Sequence, residues 1–195
     1  KMKKIIIQRA NRTKQKSDVL YRLKEFKRNK DYRFDYLLMF NKEIGKIYKS
    51  FLKGKIIPIG SFKSNSVIKK KEKKKIELLL ISVFRKHLKP FKQDVILFEN
   101  LKKYCEKKKL KVQVLGSTNS EVEKYFYLNI FGNQMKKFIN RHENRNPYKI
   151  VDQAKITVSI DSTLGYESAA RGNKVAFFIK RKKKLPTSTV QFGWP

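Results

Sequence analysis

The chain is poor in the residues that build most metal and redox sites. Of its 195 residues one is cysteine, Cys105, and two are histidine, His87 and His142. A single thiol excludes an internal disulfide, and no His, Cys or Asp stands at metal-ligand spacing from another. Its place on the apolar face of a lysine-rich helical stretch marks Cys105 as a core residue. Lack of cysteine fits a reducing cytoplasm. No run of about 18 apolar residues offers a transmembrane helix, and no signal-peptide pattern opens the chain. Gly-x-Gly-x-x-Gly, the Walker lysine loop and the Gly-x-Ser-x-Gly elbow are all missing. Their absence argues against a dehydrogenase, a P-loop NTPase and an ordinary serine hydrolase.

Negative charge is also scarce, with 16 Asp and Glu against 49 Lys and Arg, a formal net charge of +33. Lys outnumbers Arg about four to one, whereas base readout and bidentate phosphate contacts favour Arg. The lysines run along the whole chain, through Lys69 to Lys75, Lys102 to Lys111 and Lys180 to Lys184. This pattern favours compositional bias, or attraction to an anionic membrane surface, over specific nucleic-acid binding. A basic nucleic-acid-binding module is the non-enzyme alternative; it predicts strongly salt-dependent binding through a clustered basic face.

With 40% hydrophobic residues, the chain can bury one domain, or one domain plus part of another. Its aromatic-rich end, Phe192-Gly193-Trp194-Pro195, reads as a piece of something longer. Ile5-Ile6-Ile7 is a short strand, and Ser17 to Arg28 has helical spacing of Val19, Leu20, Leu23 and Phe26. Phe34 to Phe40 reads as a strand and Asn41 to Leu52 as a helix ended by Gly54. Ile56 to Ile59 is a third strand, closing in Gly60-Ser61. The lysine-rich stretch after it is the linker candidate. Residues 1–60 then form the end of one domain, 61–75 a linker, and 76–195 a second domain.

The second series is clearer. Ile76 to Val83 is a near-continuous apolar run, as a parallel sheet requires. Asp94 to Lys108 is a helix with Val95, Phe98, Leu101 and Cys105 on one face. Leu110 to Leu115 is a strand ending in Gly116-Ser117-Thr118. Ser120 with Glu123 three residues on reads as a capping box opening a helix to Phe131. Lys137 to Arg141 is ambiguous, and Pro147 to Gln153 is a short helix with proline in its first turn. Alternating strands and helices point to an α/β, Rossmann-like parallel sheet flanked by helices.

The most informative stretch is Ile156 to Ile179: strand, tight turn, short helix, glycine stop, strand. Asp161-Ser162-Thr163-Leu164-Gly165 stands where the first strand hands over to the helix, at a sheet edge where helix amides favour anions. Ser162 or Thr163 can cap that helix or donate to phosphate oxygens. Gly165 lets a ligand or a backbone come close. Glu167, one turn deeper than Thr163, can accept from a ribose diol. The packing alternative has Ser or Thr capping, Glu favouring the dipole and Gly merely fitting. Ser82 is a further candidate for the phosphate site. Gly116-Ser117-Thr118 reads first as a plain turn, Arg141 and Arg145 as ordinary surface arginines, and Tyr148 with Asp152 as packing and capping. No catalytic residue can be assigned.

The run Ile160-Asp-Ser-Thr-Leu-Gly-Tyr-Glu-Ser-Ala-Ala-Arg-Gly-Asn-Lys-Val-Ala-Phe-Phe resembles surface-carbohydrate and O-antigen biosynthesis proteins, relatives of the GT-B glycosyltransferases. Phe40 to Gly45, Ile57 to Asn65 and, more loosely, Leu80 to Arg85 are similar to the same family in the same order. The resemblance implies a GT-B-type C-terminal domain plus the end of an N-terminal one. It implies transfer of a sugar from a nucleotide-sugar to a glycan or lipid-linked acceptor in cell-surface polysaccharide synthesis, without a further cofactor or metal. Donor contacts are implied for Ser162, Thr163 and Glu167, with Gly60 and Ser61 near a cleft hinge. The expected location is the cytoplasm, peripheral at the inner membrane. A nucleotide-sugar 2-epimerase or a glycerophosphate-type polymer transferase on a similar scaffold is the enzyme alternative.

Overall fold

The computed structural model describes residues 2–8, 33–50, 52–69, 73–84, 92–118, 120–141, 146–160 and 162–178. The helix expected over Ser17 to Arg28 lies outside them, as do His87, His142, Arg145 and Asp161. The described residues divide into two compact units, the first up to Ile68 and the second from Lys69.

The first unit is a parallel three-stranded sheet of β1 (Ile5–Ile7), β2 (Arg33–Met39) and β3 (Lys53–Pro58), in that order. Between β2 and β3 runs α1 (Lys42–Lys49), opened by Asn41, whose Oδ1 accepts from the Ile44 amide at 2.8 Å. That bond satisfies one of the donors a helix start leaves open. Leu37, Met39, Phe40, Ile44, Tyr48 and Leu52 close its core. Gly54, read from sequence as a helix stop, instead lies inside β3, because α1 ends earlier, at Lys49. After β3 the chain turns through Gly60 at a φ of 69°, a left-handed conformation that favours glycine. A four-residue helix, α2 (Phe62–Asn65), follows.

The second unit holds β4 (Ile76–Ile81), α3 (Lys92–Lys107), β5 (Val112–Leu115), α4 (Glu121–Phe131), β6 (Met135–Ile139), α5 (Pro147–Asp152), β7 (Ala154–Ser159), α6 (Thr163–Ala170) and β8 (Val175–Phe177). All its strand pairs are parallel, in the order β6-β5-β4-β7-β8. Numbered from β4 that order is 3-2-1-4-5, the Rossmann arrangement, and the direction of winding reverses between β4 and β7. The ambiguous segment before Arg141 is thus an edge strand. Its exposed Lys136 and Lys137 fit an edge that must not pair with other chains.

Burial follows from this order. The central strand β4 and its neighbour β5 are almost wholly buried, because helices cover both faces. Helices α3 and α4 lie over Leu78, Leu80, Val112, Val114 and Val158. There Phe98, Leu101, Cys105, Tyr127 and Phe131 meet at helical spacing. Burial pushes the Cys105 thiol up, consistent with a core residue rather than a nucleophile. Helix α6 covers Ser159 and Phe177, with α5 beside it.

Gly165 explains how closely α6 can approach. A Cβ there would lie 2.4 Å from Ser159 Oγ, 2.5 Å from Ser159 Cβ and 3.2 Å from Phe177. Both residues belong to strands beneath the helix, so the helix would have to lift. Gly165→Ala is therefore expected to lose about 2 kcal/mol, overpacking outweighing the gain of roughly 1 kcal/mol in helix propensity. Urea denaturation checks this, and a Ser159→Gly change in the same chain should restore part of the loss.

Candidate functional site

In open α/β sheets the crevice for ligands lies beyond the carboxyl ends of the strands where winding reverses. Here that place is set by the residues after β4 and after β7. The two sides differ in what they offer.

After β4 the backbone is tied into the protein. The Val83 amide donates to Tyr127 Oη at 3.2 Å and the Phe84 amide to Ser82 Oγ at 3.0 Å. Ser82, only 4% exposed, donates its hydroxyl to Glu123 Oε1. Glu123 is fully buried and is the hub of this corner. Its Oε1 also accepts the Ser117 amide at 2.8 Å, and its Oε2 the Thr118 amide at 2.8 Å and the Thr118 hydroxyl at 2.6 Å. The Ser117 hydroxyl donates to the Phe84 carbonyl. Burial raises the Tyr127 phenol far above its ordinary value, so it stays a neutral hydrogen-bonding partner. The Ser120–Glu123 capping box expected from sequence does not form: Ser120 stands at the N-cap without a side-chain bond. Several donors at the ends of β4 and β5 outcompete one helix amide for the carboxylate.

After β7 stands the start of α6. Ser162 is the N-cap of α6, with extended backbone at φ −75° and ψ 133°, and its side chain makes no capping bond. Ser162 and Thr163 are half-buried at the start of the helix, where the dipole favours an anion. Gly165 packs the first turn onto β7.

Glu167, on the next turn, is 4% exposed and faces α5. Tyr148, in the first turn of α5, donates its hydroxyl to Glu167 Oε2 at 3.1 Å. Asn146 opens that helix, accepting from the Tyr148 amide at 3.1 Å and the Lys149 amide at 3.3 Å. Over the Tyr148 ring, 5.4 Å from its centre, lies the guanidinium of Arg171. Arg171 in turn grips Asp152 through two bonds, Nε to Oδ1 at 3.0 Å and Nη2 to Oδ2 at 2.5 Å. Asn173 donates to the same carboxylate at 2.9 Å, and Lys74 donates to the Asp152 carbonyl at 2.9 Å. Burial would raise the Asp152 carboxyl, but hydrogen bonds from Arg171 and Asn173 and the guanidinium charge outweigh it and hold it below the usual range.

Five of the seven candidate residues, Ser82, Ser162, Thr163, Gly165 and Glu167, are thus in the second unit, at or beneath one sheet edge. Gly60 and Ser61 belong to the first unit, at the end of β3. The Ser61 hydroxyl accepts from the Ser64 amide at 3.3 Å and caps α2. Arg141 is half-buried just after β6. Sequence reasoning missed the Tyr148–Glu167 pair and the Glu123 hub. Two polar residues at the end of β5 shortly before a helical glutamate were the available signal for the hub. Among the described residues no group of three His, Cys, Asp or Glu side chains is placed to hold a metal ion. Nor is any helix there long and apolar enough to cross a membrane.

The fold is similar to that of the pneumococcal O-GlcNAc transferase GtfA, solved in complex with UDP and GlcNAc, with a TM-score of 0.53 and 12% sequence identity. The match covers 91% of this chain and 37% of that one, so the chain spans little more than a third of GtfA. A structure of the GtfA/B complex matches at 12% identity and a TM-score of 0.49, over 91% of this chain and 38% of the other. At such identity the likeness concerns the fold: α/β, with parallel sheets flanked by helices as in GT-B glycosyltransferases. No curated protein matches the chain in sequence. The model of a family described as "putative O-antigen biosynthesis protein" matches residues 5–93 and 87–195, and the chain belongs to that family.

Proposed function

We propose that the second unit binds the nucleotide-sugar donor of a GT-B-type glycosyltransferase that builds a bacterial cell-surface polysaccharide. The observation that carries this reading is the position of the α6 N-terminus at the winding reversal of a Rossmann-ordered sheet. A relative by fold, GtfA, was solved with UDP and GlcNAc, the same class of ligand. The amides and hydroxyls of Ser162 and Thr163 receive the diphosphate, and Gly165 lets the helix seat closely enough to aim them. Oriented donors of this kind stabilise the charge that develops on a departing diphosphate. Glu167 accepts from the ribose hydroxyls. A carboxylate offers about four lone-pair sites, so acceptance from Tyr148 does not in itself bar a sugar ring. Ser82, Gly60 and Ser61 shape the strand ends. The acceptor is a glycan or lipid-linked sugar, and the lysine-rich surface holds the protein near an anionic membrane at the cytoplasmic side.

Isothermal titration of the full-length protein with UDP, GDP, CDP and ADP tests this reading. One of them is expected to bind, and Glu167→Gln is expected to weaken that nucleotide roughly tenfold or more, the worth of a hydrogen bond to a charged group. Unchanged affinity in Glu167→Gln would remove the ribose role, and failure of all four to bind would remove the donor site.

A further inference from the structure

The buried contact between α5 and α6 has a use beyond stability. We propose that Tyr148 is a positioning residue that orients Glu167 for the ribose of the donor nucleotide. The inference rests on the donor-site reading above and adds to it a residue from another helix.

A glutamate side chain has three rotatable bonds, and an unanchored carboxylate loses conformational freedom when it binds. The Tyr148 hydroxyl, 3.1 Å from Oε2, supplies an anchor before any ligand arrives. Both groups are buried, Tyr148 6% and Glu167 4% exposed, so water competes little for the bond. The tyrosine is itself held. Its own helix start is tied by Asn146, and its ring lies under a guanidinium locked to Asp152. Both α5 and α6 begin at the carboxyl edge of the sheet, so the pair sits just below the edge where the nucleotide would lie. Tyr148 touches no substrate in this scheme; it fixes the acceptor that does.

The measurement is the preference of the full-length protein for UDP, GDP, CDP or ADP over the matching 2′,3′-dideoxynucleotide. Wild type should prefer the ribonucleotide it binds by roughly tenfold or more. Tyr148→Phe keeps the ring under Arg171 and removes only the donor. It should reduce that preference roughly fivefold while leaving dideoxynucleotide affinity unchanged. A purely structural loss would weaken both ligands alike. The double variant with Glu167→Gln should show no further loss of preference, because the two residues act as one unit. Wild-type preference retained in Tyr148→Phe, with Glu167→Gln defective, overturns this inference and leaves the donor site standing. No preference in the wild type overturns the ribose role itself. Should Tyr148→Phe fail to fold, a crystal structure of the wild type with whichever of UDP, GDP, CDP and ADP it binds decides. Tyr148 still bonded to a carboxylate that meets the ribose supports the proposal. Tyr148 turned away from a ribose-bound Glu167 overturns it.

Discussion

Glu123→Ala is expected to unfold at markedly lower urea than the wild type, with about 3–4 kcal/mol of stability lost. The reason is the number of donors converging on one fully buried carboxylate. Ser82, Ser117 and Thr118 all point at it, and two of the contacts are backbone amides that cannot rotate away. Without the carboxylate these amides lose their partner just beyond the end of β5. The loop after β4 loses its tie as well, because Ser82 also receives the Phe84 amide. Glu123→Gln separates charge from shape. Each carboxylate oxygen accepts a backbone N–H at 2.8 Å, so whichever oxygen becomes NH₂ then faces a donor. A loss of about 2 kcal/mol is expected even for this isostere. Equilibrium urea unfolding measures both variants, and amide hydrogen exchange at Ser117 and Thr118 should accelerate in each. A glutamine variant as stable as wild type would show that the amides do not depend on the carboxylate.

The second large effect concerns Asp152. Its side chain is 3% exposed and that of Arg171 7%, so the pair is screened little by solvent. Asp152→Asn turns an amide NH₂ toward the guanidinium and takes away the carboxylate that Arg171 grips with two bonds. The expected cost is about 3–5 kcal/mol. The effect has a definite pH dependence. The native carboxyl titrates below its ordinary value of 3.8, so the unfolded chain takes up its proton first as pH falls. Asp152 contributes fully above about pH 4 and progressively less as pH drops through its lower native value. The stability gap between wild type and Asp152→Asn should therefore be constant from neutral pH down to about 5 and shrink below 4. Urea unfolding across that range measures it, and a gap independent of acidity would show that the pair is not what stabilises this corner.

The alternation of apolar runs and helical faces from Ile76 to Phe177 made a parallel α/β sheet legible, and Ser162-Thr163-x-Gly165 marked the turn after β7. Boundaries shifted by a few residues, because hydrophobic runs extend past the last paired residue. Val83 is apolar but lies beyond the end of β4 at Ile81. The Ser120–Glu123 pair shows where local reading fails. Its spacing is that of a capping box, and an isolated helix would form one. In the folded chain the same carboxylate meets Ser82, which is 41 residues away. The Tyr148–Glu167 bond spans 19 residues and joins two helices, and nothing in either helix's own periodicity announces it.

Pattern and composition thus decide which segments are strands and which are helices, because these depend on neighbours within a few residues. Which helix begins at the reversal of the sheet follows from the pairing of β4 with β7, far apart in sequence. Partner choice among buried polar groups is decided only by the assembled sheet. Desolvation penalises a buried carboxylate or amide left without a partner, and the partners of Glu123 and Glu167 include residues of elements distant in sequence. For that reason Glu123 braces the ends of β4 and β5, and Glu167 lies against Tyr148.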